Sequence, residues 1–201
     1  MPKNALLVMD VQQAVVDRYP DPAYLPRLRT AISAARAAGA PVIYVVVGFR
    51  PGCPEISTRN KTFGALAGTG AVAGSDQATQ VHRDVAPDPG DIIVTKRRIS
   101  AFAGSDLEMV LRAGEIDHLV LTGIATSGVV LSTLRQAADL DFRLTVLSDG
   151  CLDSDPEVHR VLVEKVFPQQ ADVTTVADWM ARRRGMPLGE PAATPSTVVL
   201  P

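Results

Sequence analysis

Aromatic side chains are scarce in this chain: Phe, Trp and Tyr together make up 4% of its 201 residues. That excludes the stacking platforms on which single-stranded nucleic acids lie. A surplus of charge is missing as well. Lys and Arg number 20, Asp and Glu 22, and the formal net charge is −2, so neither nucleic acid nor an anionic membrane has an electrostatic counterpart here. The basic runs Lys96-Arg97-Arg98 and Arg182-Arg183-Arg184 are short, and the second reads as the last turn of a helix, where cations are favoured. No apolar run approaches the roughly 18 residues that a membrane span needs. Strand pattern begins a few residues from Met1, which leaves no room for a secretory leader. Only two cysteines occur, Cys53 and Cys151. They are far apart and form no metal or redox motif. A cytoplasmic protein is expected, with a disulfide between them the minor alternative. The three histidines, His82, His118 and His159, fall in separate segments and read as surface or packed side chains.

What is present is a globular composition, 46% apolar and 21% charged, in a chain long enough to bury roughly 70% of its unfolded surface as one domain. Apolar runs at Ala5–Met9, Val42–Val47, Asp91–Thr95, Leu119–Leu121, Leu144–Leu147 and Val173–Thr175 predict six strands. Helical spacing predicts helices over Tyr24–Ala38, Leu107–Ala113, Ser127–Asp139, Pro156–Phe167 and Val176–Arg184. Ser105 or Asp106 is expected to cap the second of these and Ser127 the third. The alternation implies a three-layer α/β/α sandwich around a mostly parallel six-stranded sheet. Residues 48–90 are too long for a structureless connection; they are expected to hold a short helix or two and to cover a pocket. Residues 1–184 form the expected domain. Residues 185–201, rich in Gly, Pro, Ser and Thr, read as a loose tail or an arm docked on a second subunit.

In a parallel sheet the carboxyl ends of the strands share one edge, where ligands bind. Three chemistry-bearing segments converge there. Asp10 ends the first strand, Lys96 the third, and Gly123 opens the turn after the fourth. A carboxylate and an ammonium at adjacent strand ends would hold each other in the charged form. A capping Asp and a solvated Lys are the bland alternative.

These segments resemble the isochorismatase-like hydrolase superfamily from about Ala5 to Asp178. Met9-Asp10-Val11-Gln12 is similar to its opening Asp-x-Gln, and Lys96-Arg97-Arg98-Ile99-Ser100-Ala101-Phe102 to its Lys-x-x-x-Ser-Ala-Phe. Thr122-Gly123-Ile124-Ala125-Thr126-Ser127-Gly128-Val129-Val130 is similar to Thr-Gly-x-x-Thr-x-x-Cys-Val, with valine at the cysteine. The resemblance implies a catalytic Asp10–Lys96 pair and a triad without its sulfur, since Val129 can be neither nucleophile nor acid. It also implies a cis peptide, expected at Ala125-Thr126, and a homodimer or homotetramer with its pocket near a subunit interface. The isochorismatases proper also lack the cysteine. They cleave a vinyl ether by protonating its enol carbon from an Asp, after which water adds, chemistry that needs a general acid. They carry glycine at the position of Val129 and an aromatic residue at Ala125. Nicotinamidases of the superfamily bind a metal through histidines that Val47–Arg59 does not contain, so no metal and no cofactor is expected. The expected partner is a small-molecule substrate, with Gln12, Arg98, Phe102, Ala125, Thr126 and Val129 lining its site. The leading expectation is a small-molecule hydrolase using Asp10 and Lys96 without covalent cysteine catalysis. A catalytically silent binding or assembly protein, and an amidohydrolase with a displaced cysteine, Cys53 or Cys151, are the alternatives.

Overall fold

The computed structural model describes residues 3–67 and 80–183. The expected tail lies outside the described residues. The elements run β1 (Lys3–Met9), α1 (Gln13–Val16), α2 (Tyr24–Ala37), β2 (Val42–Val47), α3 (Lys61–Ala67), β3 (Ile92–Lys96), α4 (Leu107–Ala113), β4 (Ile116–Ile124), α5 (Leu131–Asp139), β5 (Arg143–Leu152), α6 (Pro156–Val161), β6 (Asp172–Thr174) and α7 (Val176–Arg183). The six strands form one sheet in the order β3-β2-β1-β4-β5-β6. Every pairing is parallel, where a mostly parallel sheet was expected.

Side-chain alternation along the strands divides the core in two. Ala5, Leu7 and Met9 of β1 pack with Ile43, Val45, Leu119 and Leu121, beneath Leu107 and Leu111 of α4 and Leu134 and Ala137 of α5. Leu6 and Val8 point the other way, with Val42, Tyr44 and Val120, beneath Leu28, Ile32 and Ala35 of α2 and Trp179 of α7. Burial on both faces explains why β1 and β2 read as continuous apolar runs rather than alternating ones.

The strand order reverses between β1 and β4, the place where open α/β sheets form their ligand crevice. β4 and β5 are longer than their apolar runs suggest. Thr122 stays in β4 because its hydroxyl donates to the Leu7 carbonyl at 2.7 Å. β5 continues through Ser148-Asp149-Gly150 because the ladder to β4 shifts register between Leu121 and Gly123 and resumes at Cys151.

Two helices expected as continuous are interrupted. Thr126–Val130 forms a wide π-type turn with non-helical backbone at Gly128 before α5 begins. After α6 the chain passes through a second wide turn, Leu162–Val166, and a tight one, Phe167–Gln169. Such turns commonly mark functional segments when they sit at a site. The stretch after β2 holds α3 and a short 3₁₀ turn, Arg83–Val85. Among the described residues no helix is long and apolar enough to cross a membrane.

Candidate functional site

The site is built outward from Asp10, whose left-handed backbone (φ 55°) turns the chain out of β1. Its N–H still donates to the Val45 carbonyl at 2.8 Å, so the turn starts from a fixed strand end. The Asp10 Oδ2 atom lies 2.9 Å from Lys96 Nζ, and the lysine side chain is only 2% exposed. The strand ends are not adjacent, as the sequence suggested: β2 lies between β1 and β3. Lysine's long stem crosses that interval, two strand spacings or roughly 10 Å. Lys96 Nζ also donates to the Arg98 carbonyl at 2.9 Å.

Burial pushes the Asp10 carboxyl up to about 6, against the opposing attraction of Lys96. Its second oxygen, Oδ1, is buried without a hydrogen-bond partner among the described residues. A carboxyl anchored through one oxygen, with the other uncommitted and a raised pKa, is equipped for proton transfer near neutral pH.

Gln12 holds the strand between them. Its Nε2 donates to the Val47 carbonyl at 3.2 Å and its Oε1 accepts from the Val47 N–H at 2.9 Å. The side-chain amide thus continues the ladder of β2 past the end of β1. Val47 is the register partner of Lys96, so Gln12 steadies the base of the lysine.

The segment after Lys96 is fastened to α5. Ser100 Oγ donates to Gln136 Oε1 at 2.7 Å, and the Ala101 N–H donates to Thr133 Oγ1 at 2.9 Å. Phe102 is buried against Phe142, with ring centroids 6.1 Å apart.

At the end of β4 the cis peptide is Ile124-Ala125, one residue before the expected Ala125-Thr126. The Ala125 carbonyl already accepts from the Gly128 and Val130 N–H groups, so the following peptide belongs to the helical turn, which is built of trans peptides. Ser127 does not cap that turn. It is exposed, and its N–H donates to Asp153 Oδ2 at 2.7 Å. Thr126 is fully buried, with Oγ1 2.8 Å from His159 Nδ1. Burial holds His159 below the usual imidazole range, partly offset by Asp153. Val129 is 2% exposed and packs in the core face beneath α4 and α5.

Asp153, Gln136 and Thr133 escaped the sequence reading, and His159 was legible only as a surface or packed side chain. Each acts across 26 or more residues of chain, and no local spacing signals such a contact. At α4 neither expected capping residue closes the helix from the N-cap position: Asp106 sits there without a side-chain bond, while Ser105 Oγ accepts from the Leu107 N–H at 3.3 Å.

Both cysteines are free. Cys53 packs against the Phe49–Phe63 pair. Cys151 is buried beside the Leu121 carbonyl, and burial pushes its thiol up to about 12. Among the described residues no group of three or more His, Cys, Asp or Glu side chains could hold a metal ion. A cavity of about 500 Å³ is lined by Arg50, Glu55, Arg97, Arg98 and Gly104.

Comparison with known proteins decides the family. The isochorismatase-domain pattern matches residues 4–178. The chain belongs to the isochorismatase family. Among curated members, it is 36% identical to the ureidoacrylate amidohydrolase RutB of Stutzerimonas stutzeri, over 89% of this chain and 79% of that one. It is 33% identical to the RutB of an Enterobacter species, over 88% and 87%. Its fold is that of a cysteine hydrolase from Pseudomonas syringae pv. phaseolicola, with a TM-score of 0.80 and 24% identity over 91% and 93% of the two chains. In this family fold Asp10 and the Ala125–Val130 turn follow β1 and β4, the strands that flank the switch, and Lys96 reaches Asp10 from the edge strand β3.

Proposed function

We propose that this family member hydrolyses a small carboxylated substrate by proton transfer from Asp10, with Lys96 anchoring the acid and no covalent thiol intermediate. The observation that carries this reading is the Asp10 carboxyl itself: one oxygen on Lys96, the other without a partner among the described residues, and a pKa pushed up by burial to about 6. Roughly a tenth of such a group is protonated at pH 7, enough to act as an acid and to be recharged rapidly.

An enol ether suits a site with one carboxylic acid. Transfer of the Oδ1 proton to the alkene carbon makes the ether carbon an oxocarbenium ion. Water adds there and returns a proton to Asp10, and the hemiketal breaks into a ketone and an alcohol. Lys96 compensates the carboxylate while its proton is away. Position 129, where the resemblance implies the nucleophile, holds valine, which has no lone pair to donate. Burial pushes the Cys151 thiol up to about 12, which disfavours its thiolate and supports a reading without it.

The curated relatives favour a second reading. Both are named for hydrolysis of ureidoacrylate, and an ionised Asp10 would then draw a proton from the attacking water. Thiol alkylation combined with assay of both isochorismate and ureidoacrylate tests the shared claim. Iodoacetamide-treated protein is expected to keep its rate, and Asp10→Asn to lose it. A rate abolished by alkylation refutes catalysis without sulfur.

A further inference from the structure

The cavity lined in part by Arg97 and Arg98, the two residues that follow Lys96, carries more positive charge than its own residues neutralise. Three guanidiniums, Arg50, Arg97 and Arg98, face the single carboxylate of Glu55. That carboxylate is shared: its Oε1 lies 3.1 Å from Arg50 Nη1 and 3.3 Å from Arg97 Nε. Arg98 bonds only to neutral acceptors among the described residues, with Nη1 donating to the Arg97 carbonyl and Nη2 to the Glu55 carbonyl, both at 2.6 Å. Arg97 Nη1 is fixed on the Gly48 carbonyl at 2.7 Å. Two of the three cations are therefore held in place before any ligand arrives, which lowers the entropy cost of binding one. Gly104, at φ 71°, lets the loop close on this wall: a β-carbon there would lie 2.8 Å from Arg97 Cβ. The volume, about 500 Å³, is in the range of small-ligand sites.

We propose that Arg50, Arg97 and Arg98 form a subsite for a doubly charged oxyanion, a dicarboxylate or a phosphate. Planar guanidinium forks match the paired oxygens of either group. The site is joined to the catalytic pair through the Arg98 carbonyl, which accepts from Lys96 Nζ. In the hydrolase reading the subsite holds the anionic end of the substrate, and this assignment rests on that reading; the anion site itself does not.

Isothermal titration of the full chain with succinate and with inorganic phosphate, in low-salt buffer at neutral pH, tests it. One-to-one binding of either anion is expected, weakened by added chloride. Arg98→Gln should weaken it at least about tenfold and the exposed Arg50→Gln about threefold. Arg50→Gln keeps the test open if Arg98→Gln fails to fold, because Arg98 also braces the Glu55 loop. Preference for succinate assigns the subsite to a carboxylate, preference for phosphate to a phosphate, and either supports it. No binding at millimolar anion, or binding indifferent to both arginine substitutions, overturns it. Anion binding without turnover would leave the subsite standing and remove the hydrolase reading; turnover without anion binding would do the reverse.

Discussion

Gly123 and Met9 approach so closely that a β-carbon on Gly123 would lie 2.2 Å from the Met9 carbonyl oxygen. The two are register partners in β4 and β1, and Gly123 has a φ of 139°. Only glycine satisfies both the backbone angle and the contact. Gly123→Ala is expected to destabilise the fold by at least about 3 kcal/mol, measured by urea unfolding. It should also disturb Asp10, the next residue after Met9.

Lys96→Met leaves the buried Asp10 carboxylate without its cation. Removing one partner of a buried pair costs about 3–5 kcal/mol. The cost should be largest at pH 8 and shrink toward pH 5, where Asp10 takes up a proton and no longer needs a counter-charge. A Lys96→Met protein equally destabilised at both values would mean that the pair is not the source of the loss.

Asp10 also shapes the stability of the intact protein. Burial raises its folded carboxyl from the ordinary 3.8 to about 6. Between those values the folded state binds more protons than the unfolded one, so this group's contribution is present below pH 3.8 and is lost as pH rises through about 6. The full amplitude is on the order of 3 kcal/mol. Unfolding free energies from pH 4 to 7 should therefore decline more steeply for wild type than for Asp10→Asn, whose side chain does not titrate.

Asp153 supports the turn that carries Val129. Burial raises its carboxyl, but hydrogen bonds from Ser127, Ser154 and Asp155 outweigh that and hold it below the usual range. Its contribution is thus present above pH 3.8 and lost as pH falls through its depressed folded value. Asp153→Ala should cost about 1 kcal/mol near neutrality, as the loss of a helix cap does, and progressively less in acid. Thermal melts at pH 7 and pH 3 would show the difference.

Much of the fold was legible because burial on both sheet faces leaves an unmistakable trace. β2 and α4 have the bounds read from their apolar residues, Val42–Val47 and Leu107–Ala113. β5 was read too short because Ser148-Asp149-Gly150 looks like a loop, and only the register shift against β4 keeps it in the sheet. The pairing of Asp10 with Lys96 followed from strand ends sharing one edge. Their separation by β2 did not, since strand order is set by packing rather than by chain order. Gln12 was legible as a site neighbour, but its bonds to Val47, 35 residues away, were not. The exchange of Ser127 for Asp153 as the group that satisfies the turn was hidden for the same reason.

The most direct test of the central claim is the pH dependence of kcat/KM for isochorismate, by pyruvate release, in wild type and Asp10→Asn, with ureidoacrylate consumption in parallel. An acid with a pKa of about 6 predicts a rate that falls about tenfold per pH unit above that value, and no rate in Asp10→Asn. A rate that survives Asp10→Asn, or no turnover of either substrate by the wild type, would contradict the account.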